Sequence, residues 1–139
     1  MNFKKNLLVL GGGRQALKGL TCLKNIGCDL IVCDGSEKAP GFSEASYQIL
    51  SSVYDIKSTV KAVDRFAQSN RIDGVMCLAC DAPHVVARIA KRLELAGLPI
   101  EVADRAVNKF LMKKKFQLDN ISIPRFARLN SPTQLLEFT

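Results

Sequence analysis

Three observations predict an open α/β fold, a parallel sheet sandwiched by helices. Apolar runs without polar alternation recur at Leu7–Leu10, Leu30–Cys33 and Val75–Ala79; such runs mark strands covered on both faces. Stretches with apolar residues at helical spacing separate them. A glycine triplet, Gly11-Gly12-Gly13, stands where the first strand must turn into the first helix.

The elements follow in order. Residues 6–10 read as a buried strand, and the helix after the triplet carries Leu17, Leu20, Leu23 and Ile26, with Gly27 as its C′ residue. Leu30–Cys33 is the second strand, ending at Asp34-Gly35, and right-handed crossover makes it parallel to the first. Residues 35–47 are polar with two glycines and a proline, which predicts a surface loop, and Gln48–Ser51 a short strand. Ser58–Asn70 is amphipathic, with Val60, Val63, Phe66 and Ala67 on one face. Asp73–Ala79 is the third clear buried strand. Asp81 then fits a helix N-cap with Pro83 in the first turn, and Gly97 ends that helix. A further helix is expected over Ala103–Leu118, and Ile121–Leu129 alternates like an edge strand. Ser131-Pro132-Thr133 opens a last helix in whose middle the chain stops, so the sequence reads as part of something longer.

A length of 139 residues suits one domain with a real core. No stretch approaches the roughly 20 apolar residues of a membrane span, and Leu7–Leu10 is shorter than a signal peptide's apolar region of about 7–15 residues. A cytoplasmic protein without a membrane partner is expected. Five cysteines, Cys22, Cys28, Cys33, Cys77 and Cys80, are an odd count scattered through apolar segments, which favours reduced, mostly buried thiols. Cys77, Cys80 and His84 offer three metal-ligand types, but no second pair completes a four-ligand set, and no metal site is assigned. A redox role for the Cys77-x-x-Cys80 pair is weaker than a core role, and His84 is expected at the surface.

The net charge is +7, and +6 of it lies between Arg105 and Arg128, where Arg105, Lys109, Lys113, Lys114, Lys115, Arg125 and Arg128 face Asp119 alone. The charge therefore belongs to one segment. Nucleic acid is not expected as a partner, since Phe110, Phe116 and Phe126 read as core instead of as interleaved stacking residues.

Ligands of such sheets bind beyond the carboxyl ends of the strands. That rim gathers Gly11–Gln15, Asp34-Gly35 and Cys80-Asp81. Gly11, Gly13 and Ala16 match G-x-G-x-x-G/A, and Asp34 falls about 20 residues on, where a dinucleotide fold places its ribose-binding acid. An NAD(P)-binding domain is one reading of these residues; a tight turn, with Asp34 capping a loop, is another.

The later series adds to this. Asp73-Gly74-Val75, Asp81, LAGLPI, Asn108-Lys109 and LMKKKFQLDNISIPRF together resemble the N-terminal domain of ATP-grasp enzymes, the biotin carboxylase and carbamoyl phosphate synthase type of carboxylate–amine ligases. That family carries a glycine-rich first turn, a strand ending in an acidic residue, then D-K, a basic helix and G-I-P-x-P. Here Asn108 replaces the usual Asp, and Asn120-Ile121-Ser122-Ile123-Pro124 replaces the usual glycine start.

The resemblance implies a Rossmann-like preATP-grasp domain over 1–119 and the start of the following ATP-grasp domain over 120–139. It implies ATP and Mg²⁺ as cofactors of the full-length protein, none bound tightly by this part alone, and no catalytic residue within it. Small-molecule carboxylate and amine substrates, further C-terminal domains and, in a homodimer, a second copy of the chain are the implied partners. Lys109 matches the first ATP-contacting lysine, and a lysine ammonium suits a nucleotide phosphate. Gly11, Gly12, Gly13, Arg14, Gln15, Asp34 and Asp81 would bind substrate, with backbone amides facing a carboxylate or phosphate and Asp81 an ammonium.

Overall fold

The computed structural model describes residues 4–138, the side chain of residue 137 excepted. Four parallel strands form one sheet: β1 (Asn6–Leu10), β2 (Asp29–Asp34), β3 (Tyr47–Leu50) and β4 (Gly74–Cys77), in the order β3-β2-β1-β4. β1 lies at the centre, with Leu8 opposite Ile31 on one side and Val75 on the other. The helices are α1 (Leu17–Asn25), α2 (Ile56–Ala67), α3 (Pro83–Arg92), α4 (Ile100–Val107), α5 (Lys109–Leu118) and α6 (Pro132–Phe138).

The unbroken apolar strands are explained by two cores. Leu8, Leu10, Ile31 and Cys33 point to the α2–α3 side, where Val63, Val85 and Ile89 meet them. Val9, Leu30 and Val32 point the other way, to Ala16 and Leu20. Alternate residues thus serve opposite faces, and both faces are dry.

Several local expectations need correction. The helix expected over Ala103–Leu118 is two helices, broken at Asn108, whose backbone is extended. The Asn108 side chain accepts the N–H groups of Phe110 and Leu111, both at 3.1 Å, and so starts α5 afresh. Asp81 is not the N-cap of α3: Ala82 holds that position and makes no side-chain capping bond. α3 ends at Arg92, not at Gly97.

Ile121–Leu129 is no strand. Its alternation instead reflects packing along α5, with Phe126 edge-on to Phe110 at 5.8 Å. The loop over 35–47 is not wholly superficial either. Pro40–Ser43 forms a 3-10 turn, and Gly41 is buried against the glycine triplet, donating its N–H to the Gly12 carbonyl at 2.7 Å.

No helix among the described residues is long and apolar enough to cross a membrane.

Candidate functional site

All four strand ends open on one rim. Gly11 follows β1, Gly35-Ser36 follows β2, Ser52–Tyr54 follows β3, and Ala79–Asp81 follows β4. Between β1 and β4 the chain order reverses, the place where open sheets leave a crevice. Two adjoining pockets lie there. One, of about 290 Å³, is lined by Gly11, Gly13, Asp34, Ser36, Ser52 and Tyr54 among others. The second, of about 420 Å³, is lined by Gln15, Tyr54, Leu78, Ala79, Cys80 and Asp81. Tyr54, Ala79 and Cys80 belong to both.

The three glycines do different things. Gly11 adopts φ +87°, a conformation L side chains rarely enter, and its N–H donates to the Cys33 carbonyl at 2.8 Å. Gly12 is needed for space, because a Cβ there would lie 2.9 Å from Val32 Cγ1. Its N–H donates to Asp34 Oδ2 at 2.7 Å. A Cβ on Gly13 would meet nothing within 4 Å, and this glycine is exposed on the pocket wall. Two of the three amides are therefore committed within the protein. The N–H groups of Gly13, Arg14 and Gln15, at the start of the turn into α1, have no hydrogen-bond partner among the described residues, and Gly13 and Gln15 line the two pockets.

Asp34 acts first as a brace. Besides Gly12, it accepts the Ser36 N–H at 2.9 Å on Oδ1, the Asx-type turn that its loop position suggests. A ribose contact of the dinucleotide kind would compete with these two bonds. Arg14 is exposed beside the pockets, whereas Gln15 and Asp81 line the second one. Asp81, released from capping, is an exposed carboxylate at the β4 end.

Lys109 stands apart from this rim. It is exposed at the first position of α5, on a helix that packs on α4 and not on the sheet. Asn108, where the resembled family has Asp, performs the cap that an aspartate would also perform, which gives the departure a neutral physical meaning. Of the neighbouring lysines, Lys113 Nζ lies 5.7 Å from the Phe126 ring centre and Lys114 Nζ 4.9 Å from that of Phe110. Lys115 pairs with Asp119. Phe110, Phe116 and Phe126 are half-buried beneath this basic layer rather than core residues.

The thiols differ from expectation in burial. Only Cys33 is fully buried, Cys22 is exposed, and Cys28, Cys77 and Cys80 lie between. Burial pushes the Cys33 thiol up to about 12 and, with Cys77 close by, the Cys80 thiol up to about 11. Both stay protonated near neutrality, the opposite of a reactive redox cysteine. The Cys80 thiol donates to the Leu10 carbonyl at 3.3 Å and packs against Gly11, forming the pocket floor. No group of three or more His, Cys, Asp and Glu among the described residues is arranged to hold a metal ion. His84 is half-buried, not superficial, and its buried Nδ1 has no hydrogen-bond partner among the described residues.

Tyr54 and Ser52 escaped the sequence reading. They follow a four-residue strand, and only the sheet order brings their loop to the crevice.

A four-stranded parallel sheet ordered 3-2-1-4, with a glycine turn and its crevice at the β1–β4 boundary, is an open, Rossmann-like α/β fold, and solved ligases and synthetases share it. Three solved structures are similar throughout this chain. Phosphoribosylglycinamide synthetase from Anaerococcus prevotii shares 23% identity at a TM-score of 0.79, over 98% of this chain and 34% of its own. L-amino acid ligase from Bacillus licheniformis shares 18% at 0.77, over 96% and 35%. N5-carboxyaminoimidazole synthetase from Staphylococcus aureus, solved with ADP, shares 14% at 0.77, over 99% and 35%. At these identities the likeness is one of fold. The chain spans about a third of the length of these proteins. No family profile matches the sequence, and no curated protein does.

Proposed function

We propose that this chain is the N-terminal, substrate-side domain of an ATP-dependent carboxylate–amine ligase of the ATP-grasp type, and that its crevice holds the acceptor substrate. The observation that carries this reading is the crevice itself. It brings Gly13, Gln15 and the Asp81 carboxylate together, with the exposed Arg14 next in the chain, at the switch point of a fold shared with solved ligases and synthetases.

The amides and Arg14 suit an anionic group of the substrate, and Asp81 suits an amine. Gly11, Gly12 and Asp34 shape this wall without needing to touch the ligand. In the complete protein ATP with Mg²⁺ would activate a carboxylate or bicarbonate as an acyl phosphate. Lys109 would place its ammonium on a nucleotide phosphate, reaching it across the domain boundary. Residues 1–119 then form the substrate-side domain and 120–139 begin the next, whose partners are the remaining ligase domains and, in a dimer, a second copy. A cytoplasmic location fits such an enzyme. Catalysis of this kind rests on positioning and charge stabilisation.

The test is a titration of the isotopically labelled 139-residue chain with inorganic phosphate, ATP–Mg²⁺ and NAD(H), followed by backbone amide shifts and by ATP turnover. Phosphate is expected to move the Gly13–Gln15 amides, ATP to bind weakly and not to be hydrolysed. Robust ATP turnover by this chain, or tight NAD(H) binding that Asp34→Ala weakens, would overturn the reading.

A further inference from the structure

Tyr54 is 66% exposed, and it stands where the two pockets meet. Its backbone is firmly held. Val53 beside it is buried in the core. On the other side Asp55 accepts the Ser58 N–H at 3.1 Å and donates its own N–H to the Ser52 carbonyl at 3.0 Å. The fully buried Thr59 donates its hydroxyl to that same carbonyl at 2.6 Å. Ser51, one residue earlier, ties the loop to β2 through the Asp34 carbonyl at 3.0 Å. The other tyrosine, Tyr47, has an aromatic neighbour in Phe66, with ring centres 5.4 Å apart. Tyr54 has no ring partner among the described residues. A large ring presented to water by so constrained a loop has the properties of a binding platform.

Leu78, Ala79 and Cys80 line the second pocket with it, with little charge among them. The two ends of the crevice are polar and unlike each other. Gly13, Ser36 and Ser52 supply neutral hydrogen-bonding groups at one, beside an Asp34 carboxylate whose two oxygens are already held by the Gly12 and Ser36 N–H groups, and Gln15 and Asp81 supply an amide and a carboxylate at the other. A single-centre reactant such as bicarbonate or ammonia is too small to use both pockets with Tyr54 between them.

We infer that Tyr54 is the specificity-determining residue of the crevice. It stacks on the flat, unsaturated body of an organic acceptor whose anionic end lies at the Gly13 N–H and whose amine end lies at Asp81. This rests on the acceptor-site reading above and adds to it the shape of the molecule accepted.

Two probes of equal charge separate the two claims: 4-(aminomethyl)benzoate, with a flat ring between ammonium and carboxylate, and 6-aminohexanoate, with a flexible chain. The sequence has no tryptophan and two tyrosines, so Tyr47→Phe leaves Tyr54 as the reporting fluorophore. The flat probe is expected to shift the amides of Gly13, Tyr54, Ala79 and Asp81, to alter Tyr54 fluorescence, and to bind about tenfold more tightly than the flexible one, the scale of one stacking contact. Tyr54→Ala removes that preference and Tyr54→Phe keeps it, each variant checked for an unchanged far-ultraviolet circular dichroism spectrum. Equal binding of the two probes, or a preference that survives Tyr54→Ala, overturns the role of Tyr54. Failure of the flat probe to shift any crevice amide overturns it too. The acceptor-site reading survives these results if phosphate still moves the Gly13–Gln15 amides, and falls with the inference if it does not.

Discussion

Gly12 and Gly13 are adjacent and chemically identical, yet an added methyl would strike Val32 at one and enter open space at the other. Gly12→Ala is therefore expected to destabilise the fold by about 1–3 kcal/mol, the usual result of overpacking. Gly13→Ala should change stability by no more than about 0.5 kcal/mol, as surface replacements do. Urea unfolding of the two variants measures the contrast. Asp34 holds two backbone N–H groups in a half-buried position, so Asp34→Ala leaves both without an acceptor and should cost about 2 kcal/mol in the same assay. At this scale the sequence was only partly legible. The repeated letter marked the turn and its neighbours, but the reasons for each glycine come from Val32, Cys80 and the 3-10 turn at Pro40–Ser43, which no local pattern connects to it. The cysteines teach the same lesson in reverse. Apolar surroundings predicted mostly buried thiols, and the geometry gives full burial to Cys33 alone, so a thiol reagent should modify Cys22 first and Cys33 last.

Three helices end by one device, a residue in the left-handed region with paired carbonyl bonds behind it. After α1 it is Gly27, after α3 Glu94 at φ 54°, and after α5 Asn120 at φ 55°. At α3 the Leu95 N–H donates to the Ala90 carbonyl at 2.8 Å and the Glu94 N–H to that of Lys91 at 3.4 Å. Glutamate suits neither this conformation nor the negative end of a helix. Glu94→Gly is accordingly expected to raise stability by about 1 kcal/mol, read as a higher urea midpoint. Asn108→Ala should lower it by about 1 kcal/mol through loss of the α5 cap, while Asn108→Asp leaves it nearly unchanged. The sequence disclosed the Gly27 terminus because glycine announces it. It hid the one at Glu94, and it hid the break at Asn108 because apolar periodicity runs across both α4 and α5. Ile121–Leu129 misled for a related reason: packing on a helix at Phe126 can mimic the alternation of a strand.

Acid should weaken the whole molecule through three carboxylates, one capping a helix and two tying distant segments. Each sits below its ordinary value of 3.8. The Ser58 N–H lowers Asp55 at the start of α2, the Asn6 N–H lowers Asp73 where β1 meets the approach to β4, and the Arg88 guanidinium lowers Asp104 between α3 and α4. A carboxylate whose folded pKa is depressed contributes stability that is present above its unfolded pKa and lost as pH falls through the folded one. The urea midpoint should thus be flat near neutrality and fall below about pH 4. Asp104→Asn, which removes one charge from the bidentate pair with Arg88 at 2.7 and 2.9 Å, should make that fall shallower. At this scale the sequence was most legible. Buried runs with helices between them dictate a parallel sheet, and a parallel sheet dictates which loops share a rim. Tyr54 stayed hidden because its role depends on where β3 lies relative to β4, a matter of sheet order instead of local pattern.

The contact between Gly12 and Gly41 has a genetic consequence. A Cβ on Gly12 would press on the tip of the Val32 side chain, so a second change, Val32→Ala, makes room for it. A Cβ on Gly41 would lie 2.7 Å from the Gly12 Cα and 2.9 Å from its carbonyl oxygen, and no side-chain replacement can move backbone aside. In a selection for folded variants, alanine at position 12 should therefore survive mainly in company with a smaller residue at 32, while position 41 admits no suppressor and stays glycine.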